Sequence, residues 1–326
     1  MFKYFLMYAI ILFDCAYSFA SPKPVNTPTS SIPSINAKPV STPIPVLNNT
    51  TNSNPRPIYP PDIQRIKDRG EFVVCQYNQE RAPFFMRNPK GEVVGLDVDI
   101  SKGLAKGLGV KLRIQLVNSF NAVVDGVING KCDAGISKLS LTGPRSQKVL
   151  YTRPYVMAQK VLLINRVALQ KYQRKADKSL EEIIKKDRPL IYVEANSSYV
   201  EFAKTLLPEA RLKTYTSWPH EAVPNVYNGK VFAAFTDEFD TWEVLQSIPD
   251  APLKLLVVTL KKQYDPLYMI TAWDNYNLRE YMQSYTDLQS INYTAQTAID
   301  KYKSDVNLYI EQAKVRWQSA FADNKK

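Results

Sequence analysis

The chain is poor in the residues that build metal centres. Its 326 residues include one histidine and three cysteines, whereas a closed zinc site usually needs about four Cys or His ligands. Most zinc and haem chemistry is therefore excluded, and no metal or cofactor is expected. Long hydrophobic runs are also missing. The longest covers residues 4–13, and a membrane-spanning helix needs about 20 apolar residues, so a polytopic membrane protein is excluded.

Positive charge is plentiful but scattered. The formal net charge of +11 raises nucleic acid as a partner. However, the 42 Lys and Arg residues are interspersed with 31 acidic residues, and the densest basic stretch, residues 171–186, contains three acids. A solvated basic surface explains this pattern better than a binding stripe, and no nucleic-acid partner is expected.

The first twenty residues predict a secretory signal peptide. Lys3 gives a positive start, residues 4–13 form the apolar segment, and residues 18–20 offer a cleavage site with small side chains. An uncleaved anchor and a lipid on Cys15 are alternatives, although Asp14 stands where lipidation needs a small residue. We therefore expect a periplasmic protein, tethered to the membrane if its N-terminus is retained or lipidated.

Residues 21–61 predict a disordered spacer. They hold 11 of the chain's 22 prolines and contain no glycine and no acidic residue. A segment rich in Pro, Ser, Thr and Asn cannot build a core and favours extended backbone.

From residue 62 onward, short apolar strands alternate with helices. Strands are predicted at 71–77, 92–94, 111–116, 133–138, 190–194, 212–215, 231–236 and 253–260. Helices are predicted at 97–108, 120–128, 197–207, 220–227, 240–246, 278–288, 294–304 and 308–321. Alternation of this kind is typical of α/β proteins with mostly parallel sheets and helices on their faces.

The alternation falls into two series, which predict two lobes. We expect lobe 1 to comprise residues 62–164 and 257–326, and lobe 2, residues 165–256, to be inserted into it. Ligands of open α/β sheets bind outside the carboxyl ends of the strands. A cleft between the lobes is therefore the expected binding site.

Several motifs resemble those of the family 3 extracellular solute-binding proteins, the polar amino-acid receptors of ABC importers. Residues 91–100 (GEVVGLDVDI) resemble the family's G-x-x-x-G-F-D-V-D-L segment, and residues 137–145 (SKLSLTGPR) resemble S-x-x-[ST]-I-T-x-x-R. YTRPY at 151–155 resembles F-S-x-P-Y. In the second series, NSS at 196–198 falls where the family has G-[ST]-[ST], and FTDE at 235–238 matches the end of D-A-x-x-x-D-E. The resemblance covers about 240 residues.

The resemblance implies a two-lobe periplasmic-binding-protein-like fold of type II, with the second lobe inserted in the first. It implies that the lobes close on a polar amino acid and deliver it to the membrane permease of an ABC importer. The protein would then be no enzyme, and we expect a monomer.

The matched motifs imply a ligand-binding set. Arg145 stands at the family's carboxylate-binding position, and a planar guanidinium binds carboxylates bidentately. Ser140 and Ser197 would complete the carboxylate cradle with hydroxyl and backbone N–H groups, and Ser137 lies in the same motif. Asp237 would meet the ligand ammonium. Alternatively, Arg145 is a surface residue and Asp237 a helix N-cap.

Three further positions concern the side-chain pocket. Phe84 or Phe85 would pack against the ligand, or belong to the core. Arg81 and Lys138 depart from the family pattern, and Asn196 replaces a glycine. If Arg81 and Lys138 both point into the cleft, the pocket is basic and favours an acidic ligand side chain over a basic one. If they point outward, they carry no information on the ligand.

Two other functions fit the same fold. One is a sensory or dehydrogenase-associated accessory module, because Cys75, GKCD at 130–133 and TRPY at 152–155 are similar to segments of such relatives. The other is a dehydratase, for which Glu194 and Glu238 are the candidate proton donors.

Cys75 and Cys132 are the cysteines that remain after signal cleavage, and both fall in lobe 1. An even pair in an oxidising compartment favours a disulfide. Two small buried thiols are the alternative.

Overall fold

The computed structural model describes residues 58–176 and 178–323. The predicted signal peptide and nearly all of the predicted spacer lie outside the described residues. Within these ranges no helix is both long and apolar enough to cross a membrane.

Most of the strands in the described ranges are short. They are β1 (Glu71–Tyr77), β2 (Met86–Arg87), β3 (Val93–Val94), β4 (Lys111–Val117), β5 (Ala134–Ser140), β6 (Leu150–Tyr151), β7 (Val156–Asn165), β8 (Leu190–Glu194), β9 (Arg211–Tyr215), β10 (Ala233–Asp237), β11 (Leu255–Thr271) and β12 (Tyr293–Thr294).

Helices separate most of these strands. They are α1 (Pro61–Arg69), α2 (Leu96–Leu108), α3 (Phe120–Ile128), α4 (Gly143–Ser146), α5 (Arg166–Ala176), α6 (Leu180–Glu182), α7 (Tyr199–Leu206), α8 (Val223–Tyr227), α9 (Glu238–Ser247), α10 (Ala251–Lys254), α11 (Tyr276–Leu288), α12 (Ala295–Lys301) and α13 (Lys303–Asp323). Two π-helical turns, Ile183–Asp187 and Trp218–Ala222, precede β8 and α8.

One long sheet carries both lobes. Its strand order is β4-β1-β5-β11-β7-β10-β8-β9, with β6 paired to β11 and β12 to β7. At one end β4, β1 and β5 are parallel, and at the other end β9, β8 and β10 are parallel. The two central strands, β7 and β11, are antiparallel to each other. The second lobe is thus inserted in the first, as the sequence predicts.

The strands β7 and β11 connect the two lobes. β11 pairs with β5 near its end, at Leu267–Thr271, and with β7 along most of its length. β7 in turn pairs with β10 of lobe 2. From Tyr59 onward the described residues form one compact unit, so the lobe boundaries at 164/165 and 256/257 remain a prediction.

A disulfide joins β1 to the segment that leads into β5. The Cα atoms of Cys75 and Cys132 are 5.6 Å apart, and both side chains are buried in an apolar cluster under α3. Gly126 of α3 packs directly on this bond, since a Cβ atom there would lie 2.5 Å from Cys75 Sγ. The helix can approach the disulfide so closely only because this residue has no side chain.

The C-terminal helix α13 contacts both lobes. Val306 and Tyr309, near its start, belong to the core of lobe 1, whereas Ala313 and Trp317 pack in the core of lobe 2. The sequence assigns this helix to lobe 1 alone, because a helical amphipathic pattern shows a buried face but not the lobe that covers it.

Candidate functional site

Buried charges from the two lobes meet in the cleft. Lobe 1 contributes Arg81, from the turn after β1, and Lys138, from β5. Lobe 2 contributes Glu194 and Asp237, which end β8 and β10, and Asp240, in the first turn of α9. All five side chains are at most about 6% exposed. The cations thus come from one lobe and the carboxylates from the other, at the strand ends where ligands of open α/β sheets bind.

Lys138 reaches across the cleft. Its Nζ atom lies 2.6 Å from Asp237 Oδ2 and 3.1 Å from Asp240 Oδ1. The same atom lies 5.7 Å from the ring centroids of both Phe84 and Phe239. Two carboxylates and two aromatic rings are groups that stabilise an ammonium ion.

A local distortion of β5 places this side chain. Residues 136–138 stand opposite the single β11 residue Met269, which marks a bulge between the two strands. At the end of the bulge, Lys138 has φ of 48°, in the left-handed region that side chains other than Gly, Asn and Asp seldom adopt. Bulges redirect side chains in this way.

Arg81 makes the second cross-lobe connection. Its Nη1 donates to Asp240 Oδ2 at 2.8 Å, and its Nη2 donates to Glu194 Oε1 at 2.6 Å. The guanidinium also lies 5.3 Å from the centroid of the Phe120 ring. Asp240 therefore accepts from both cations, one on each carboxylate oxygen.

The pairing fixes the charge state of these groups. Burial lowers the pKa of Lys138, but the adjacent Asp237 and Asp240 outweigh it and raise the pKa overall. Burial likewise opposes the charge on Asp240, yet Arg81 and Lys138 hold its pKa below the usual range. Glu194 behaves differently, because burial raises its pKa more than Arg81 lowers it. The carboxylates therefore keep Arg81 and Lys138 in their charged forms. Opening the cleft would break these ion pairs and expose the charged groups to water.

Asp237 has two roles in the structure. Its Oδ1 accepts from the backbone N–H groups of Phe239 and Asp240, at 2.9 and 3.2 Å, and so caps α9. Its Oδ2 accepts from Lys138 and from the hydroxyl of Tyr199. The alternative assignment of Asp237 as an N-cap is therefore correct. The same carboxylate also pairs with an ammonium group, which is that of Lys138.

Arg145 is buried in the short helix α4. Its Nη2 donates to Asn121 Oδ1 at 2.9 Å, and its Nη1 lies 3.4 Å from the carbonyl oxygen of Ser140. Within the part of the chain that the structure describes, its guanidinium forms no ion pair. Burial lowers the pKa of Arg145, opposed by Tyr151 and by Glu201 of α7 in lobe 2. A buried cation without a carboxylate partner is costly and favours an anionic ligand.

The serines of the predicted cradle mainly stabilise the backbone. Ser137 Oγ accepts from Tyr77 N at 2.9 Å. Ser197 Oγ donates to the carbonyl oxygen of Glu194 at 2.7 Å and accepts from the backbone of Tyr199. Ser140 is buried and offers its carbonyl oxygen to Arg145.

Of the two candidate phenylalanines, Phe84 faces the site. Its ring packs edge-on against Phe239 at 4.8 Å and lies beside the Lys138 ammonium. Phe85 is also buried, but Arg87 covers its ring. Phe84 is at the same time a member of the lobe 1 core.

A further ion pair joins the two central strands. Lys160 of β7 and Asp265 of β11 pair through side chains that are each 1% exposed. The rings of Tyr199 and Phe202 lie 4.3 and 4.2 Å from Lys160 Nζ. Burial lowers the pKa of Lys160 despite Asp265. The sequence analysis missed this pair, because it assigned no strand to either segment.

Of the departures from the family pattern, Arg81 and Lys138 both point into the cleft, but neither leaves a basic pocket. The charges of Arg81 and Lys138 are compensated by three carboxylates. Among the residues that the structure describes, the Arg145 guanidinium has neutral hydrogen-bond partners. Glu194 and Glu238 are the candidate proton donors. Glu194 forms an ion pair with Arg81, and burial raises the pKa of Glu238 to about 7.

Comparison with known proteins identifies a family. The profile of the bacterial extracellular solute-binding proteins, family 3, matches residues 73–284. The match ends within α11, so α12 and α13 lie beyond it.

Individual relatives are distant. The chain is 26% identical over 155 residues to an arginine-binding periplasmic protein of Mannheimia haemolytica. The aligned region covers 48% of this chain and 58% of that protein. It is 27% identical over 194 residues to a glutamine-binding protein of Geobacillus stearothermophilus. This aligned region covers 58% of this chain and 69% of that protein. Among solved structures, an amino acid ABC transporter substrate-binding protein from Streptococcus pneumoniae bound to L-arginine has a TM-score of 0.57 and 25% identity. That match covers 78% of this chain and 98% of the other.

Proposed function

Because this chain belongs to the bacterial extracellular solute-binding proteins of family 3, we propose that it captures a small carboxylate-bearing solute between its two lobes. Polar amino acids, including those with an acidic side chain, are the class of solute that membership of the family suggests. The protein would act in the periplasm as a monomer and hand the solute to the membrane permease of an ABC importer.

The observation that carries this proposal is the environment of Arg145. Its guanidinium is buried, and within residues 58–176 and 178–323 its hydrogen-bond acceptors are the neutral oxygens of Asn121 and Ser140. Desolvating a cation is expensive unless a counter-ion compensates it. A ligand carboxylate would supply that counter-ion and make two parallel hydrogen bonds with the guanidinium. Binding rather than catalysis is proposed, because the relatives compared above are named as binding proteins.

Relatives bind different amino acids. Those compared above are named for arginine and glutamine, so membership of the family does not fix the ligand. In this chain three carboxylates already hold two cations in the cleft. A cationic side chain would have to displace Arg81 or Lys138 from those carboxylates, which disfavours arginine and lysine.

A second candidate is an accessory or sensory module that retains the fold without transporting a solute. One observation favours it: Arg81 and Lys138 connect the two lobes through buried ion pairs with Glu194 and Asp237. A cleft held shut in this way would leave the outer surface of the closed protein as its functional part.

A thermal-shift screen of the purified full chain separates the two candidates. The standard amino acids and small mono- and dicarboxylates are tested one by one, since a ligand at about 100 times its Kd adds about 2.7 kcal/mol of stability. Arg145→Lys, which keeps the charge but loses the planar fork, should lose most of the shift. Arg113→Lys, on an exposed strand, is the matched control. If no carboxylate raises the unfolding temperature, the transport proposal is wrong and the accessory module gains support.

A further inference from the structure

The groups around the Lys138 ammonium form an ammonium cage, defined by the carboxylates of Asp237 and Asp240 and the rings of Phe84 and Phe239. The carboxylates lie 2.6 and 3.1 Å from Nζ, and both ring centroids lie at 5.7 Å. Carboxylates and aromatic faces attract ammonium ions in general, most strongly where water is excluded. Such a cage would suit the ammonium group of a free solute, but the chain's own lysine fills it.

The backbone of Lys138 is an independent observation. A residue with φ of 48° and a Cβ atom is strained, whereas glycine adopts this conformation freely. Strain of this kind persists only where the surroundings compensate it. Here the two ion pairs of the ammonium contribute to that compensation, together with the hydrogen bond from the Lys138 backbone N–H to Asp97 Oδ2 at 3.0 Å.

We propose that Lys138 is an internal ligand that occupies the ammonium subsite of the cleft, so that the external ligand is a small carboxylate without an ammonium group beside it. This inference rests on the proposed function, because it assigns the remaining recognition to Arg145. Chemical classes that fit are 2-oxo acids, 2-hydroxy acids and simple dicarboxylates. Lys138 thereby determines specificity.

The physical basis is a competition for the same carboxylates. The ammonium of a free amino acid could reach Asp237 only by displacing Lys138, and the displaced ammonium would remain in a buried site beside Arg81. Like charges at close range and unpaired buried charges are both strongly unfavourable. An acid that lacks the ammonium avoids both effects and still pairs with Arg145.

The first test compares acids that differ only in the ammonium group. Affinities of the wild-type chain are measured by calorimetry for matched pairs, such as glutamate with 2-oxoglutarate and alanine with pyruvate. The ammonium-free member of a binding pair should bind at least about tenfold more tightly, given the cost of opposing a buried charge. Tighter binding of the amino acid would overturn the inference, while leaving the proposed function intact.

The second test needs no known ligand. Lys138→Gly removes the side chain and relieves the left-handed strain, and n-butylammonium, which has the shape of the missing side chain, is added to the variant. We expect the amine to raise its unfolding temperature in a saturable manner and to leave the wild type unchanged. Arg188→Gly is the matched control, because Arg188 has φ of 47° and lies on the surface.

The outcomes of the second test are separable. Stabilisation of Lys138→Gly alone supports the internal ligand, even if the solute screen finds nothing. The inference is wrong if butylammonium stabilises neither glycine variant, or both equally. A Lys138→Gly protein that stays unfolded in the presence of the amine counts against it as well.

Discussion

The Nζ atom of Lys138 lies 2.6 Å from Oδ2 of Asp237, and these two residues belong to different lobes. The carboxylate that caps α9 with its other oxygen is therefore neutralised from across the cleft. This relationship connects local helix structure to lobe closure. Separating the lobes would break this ion pair. Water would then have to solvate both the Lys138 ammonium and the Asp237 carboxylate.

Removal of Asp240 should destabilise the closed protein strongly. Asp240 accepts from both Arg81 and Lys138, and removing one partner of a buried ion pair typically costs about 3–5 kcal/mol. We expect Asp240→Ala to lower the free energy of unfolding in urea by that amount. Glu311→Ala is the control, since Glu311 forms an exposed pair with Lys314 worth at most about 1 kcal/mol. Equal effects of the two substitutions would contradict the role given to Asp240.

Stability should fall as the pH rises toward neutrality. Burial raises the pKa of Glu243 to about 7, although Tyr309 donates a hydrogen bond to it at 2.8 Å and Arg316 is near. A glutamate in the unfolded chain titrates near about 4.3. Between these values the folded state keeps a proton that the unfolded state has lost, so the free energy of unfolding decreases as pH increases. Burial raises the pKa of Asp97 to about 7 as well, and its effect has the same sign.

The substitution Glu243→Gln tests this titration. Glutamine keeps an acceptor for Tyr309 but cannot ionise. Urea unfolding at pH 5 and pH 7 should show a smaller loss of stability in the variant, by up to about 1.4 kcal/mol per pH unit. Parallel pH profiles for the wild type and the variant would show that Glu243 does not titrate in this range.

The Cys75–Cys132 disulfide should be a large contributor to stability. The two residues are 57 positions apart, and a bond closing a loop of that length contributes about 4 kcal/mol in the chain-entropy model. We expect the Cys75→Ala, Cys132→Ala double variant to lose stability of that order. Mass spectrometry after alkylation of the denatured, unreduced protein should find neither residue modified. Two modified thiols there would rule the bond out.

Much of the fold could be predicted from the sequence because local patterns determine it. The strand at Leu190–Glu194 is a short apolar run between turn residues, and prediction and structure agree to the residue. β7 was missed, since a short apolar run does not distinguish strand from helix. The strand predicted at 253–260 continues to Thr271, because a polar stretch containing Asp265 hides it. Asp265 is buried in the sheet, where Lys160 of the neighbouring strand compensates its charge.

The site was predictable as a set of residues but not as a set of contacts. Arg145 and Asp237 stand out through motifs that are continuous in the sequence. The pairing of Asp237 with Lys138 joins positions about a hundred residues apart and depends on a bulge and one left-handed residue. A bulge and a left-handed residue inside a strand have no recognisable sequence pattern. The direction of the Lys138 side chain could therefore not be inferred from the sequence. Asp240 was overlooked for a similar reason, because a first-turn aspartate is ordinarily explained by the helix dipole.

The affinity of Arg145→Ala for the solute found in the screen tests the central claim most directly. Calorimetry compares it with the wild type and with Arg113→Ala, which removes an exposed guanidinium paired to Glu71. Without Arg145, the ligand carboxylate is left unpaired in the closed cleft, at a cost of about 2–5 kcal/mol. The account predicts binding weakened by at least about thirtyfold in Arg145→Ala and unchanged in Arg113→Ala. The same affinity in all three proteins would contradict it.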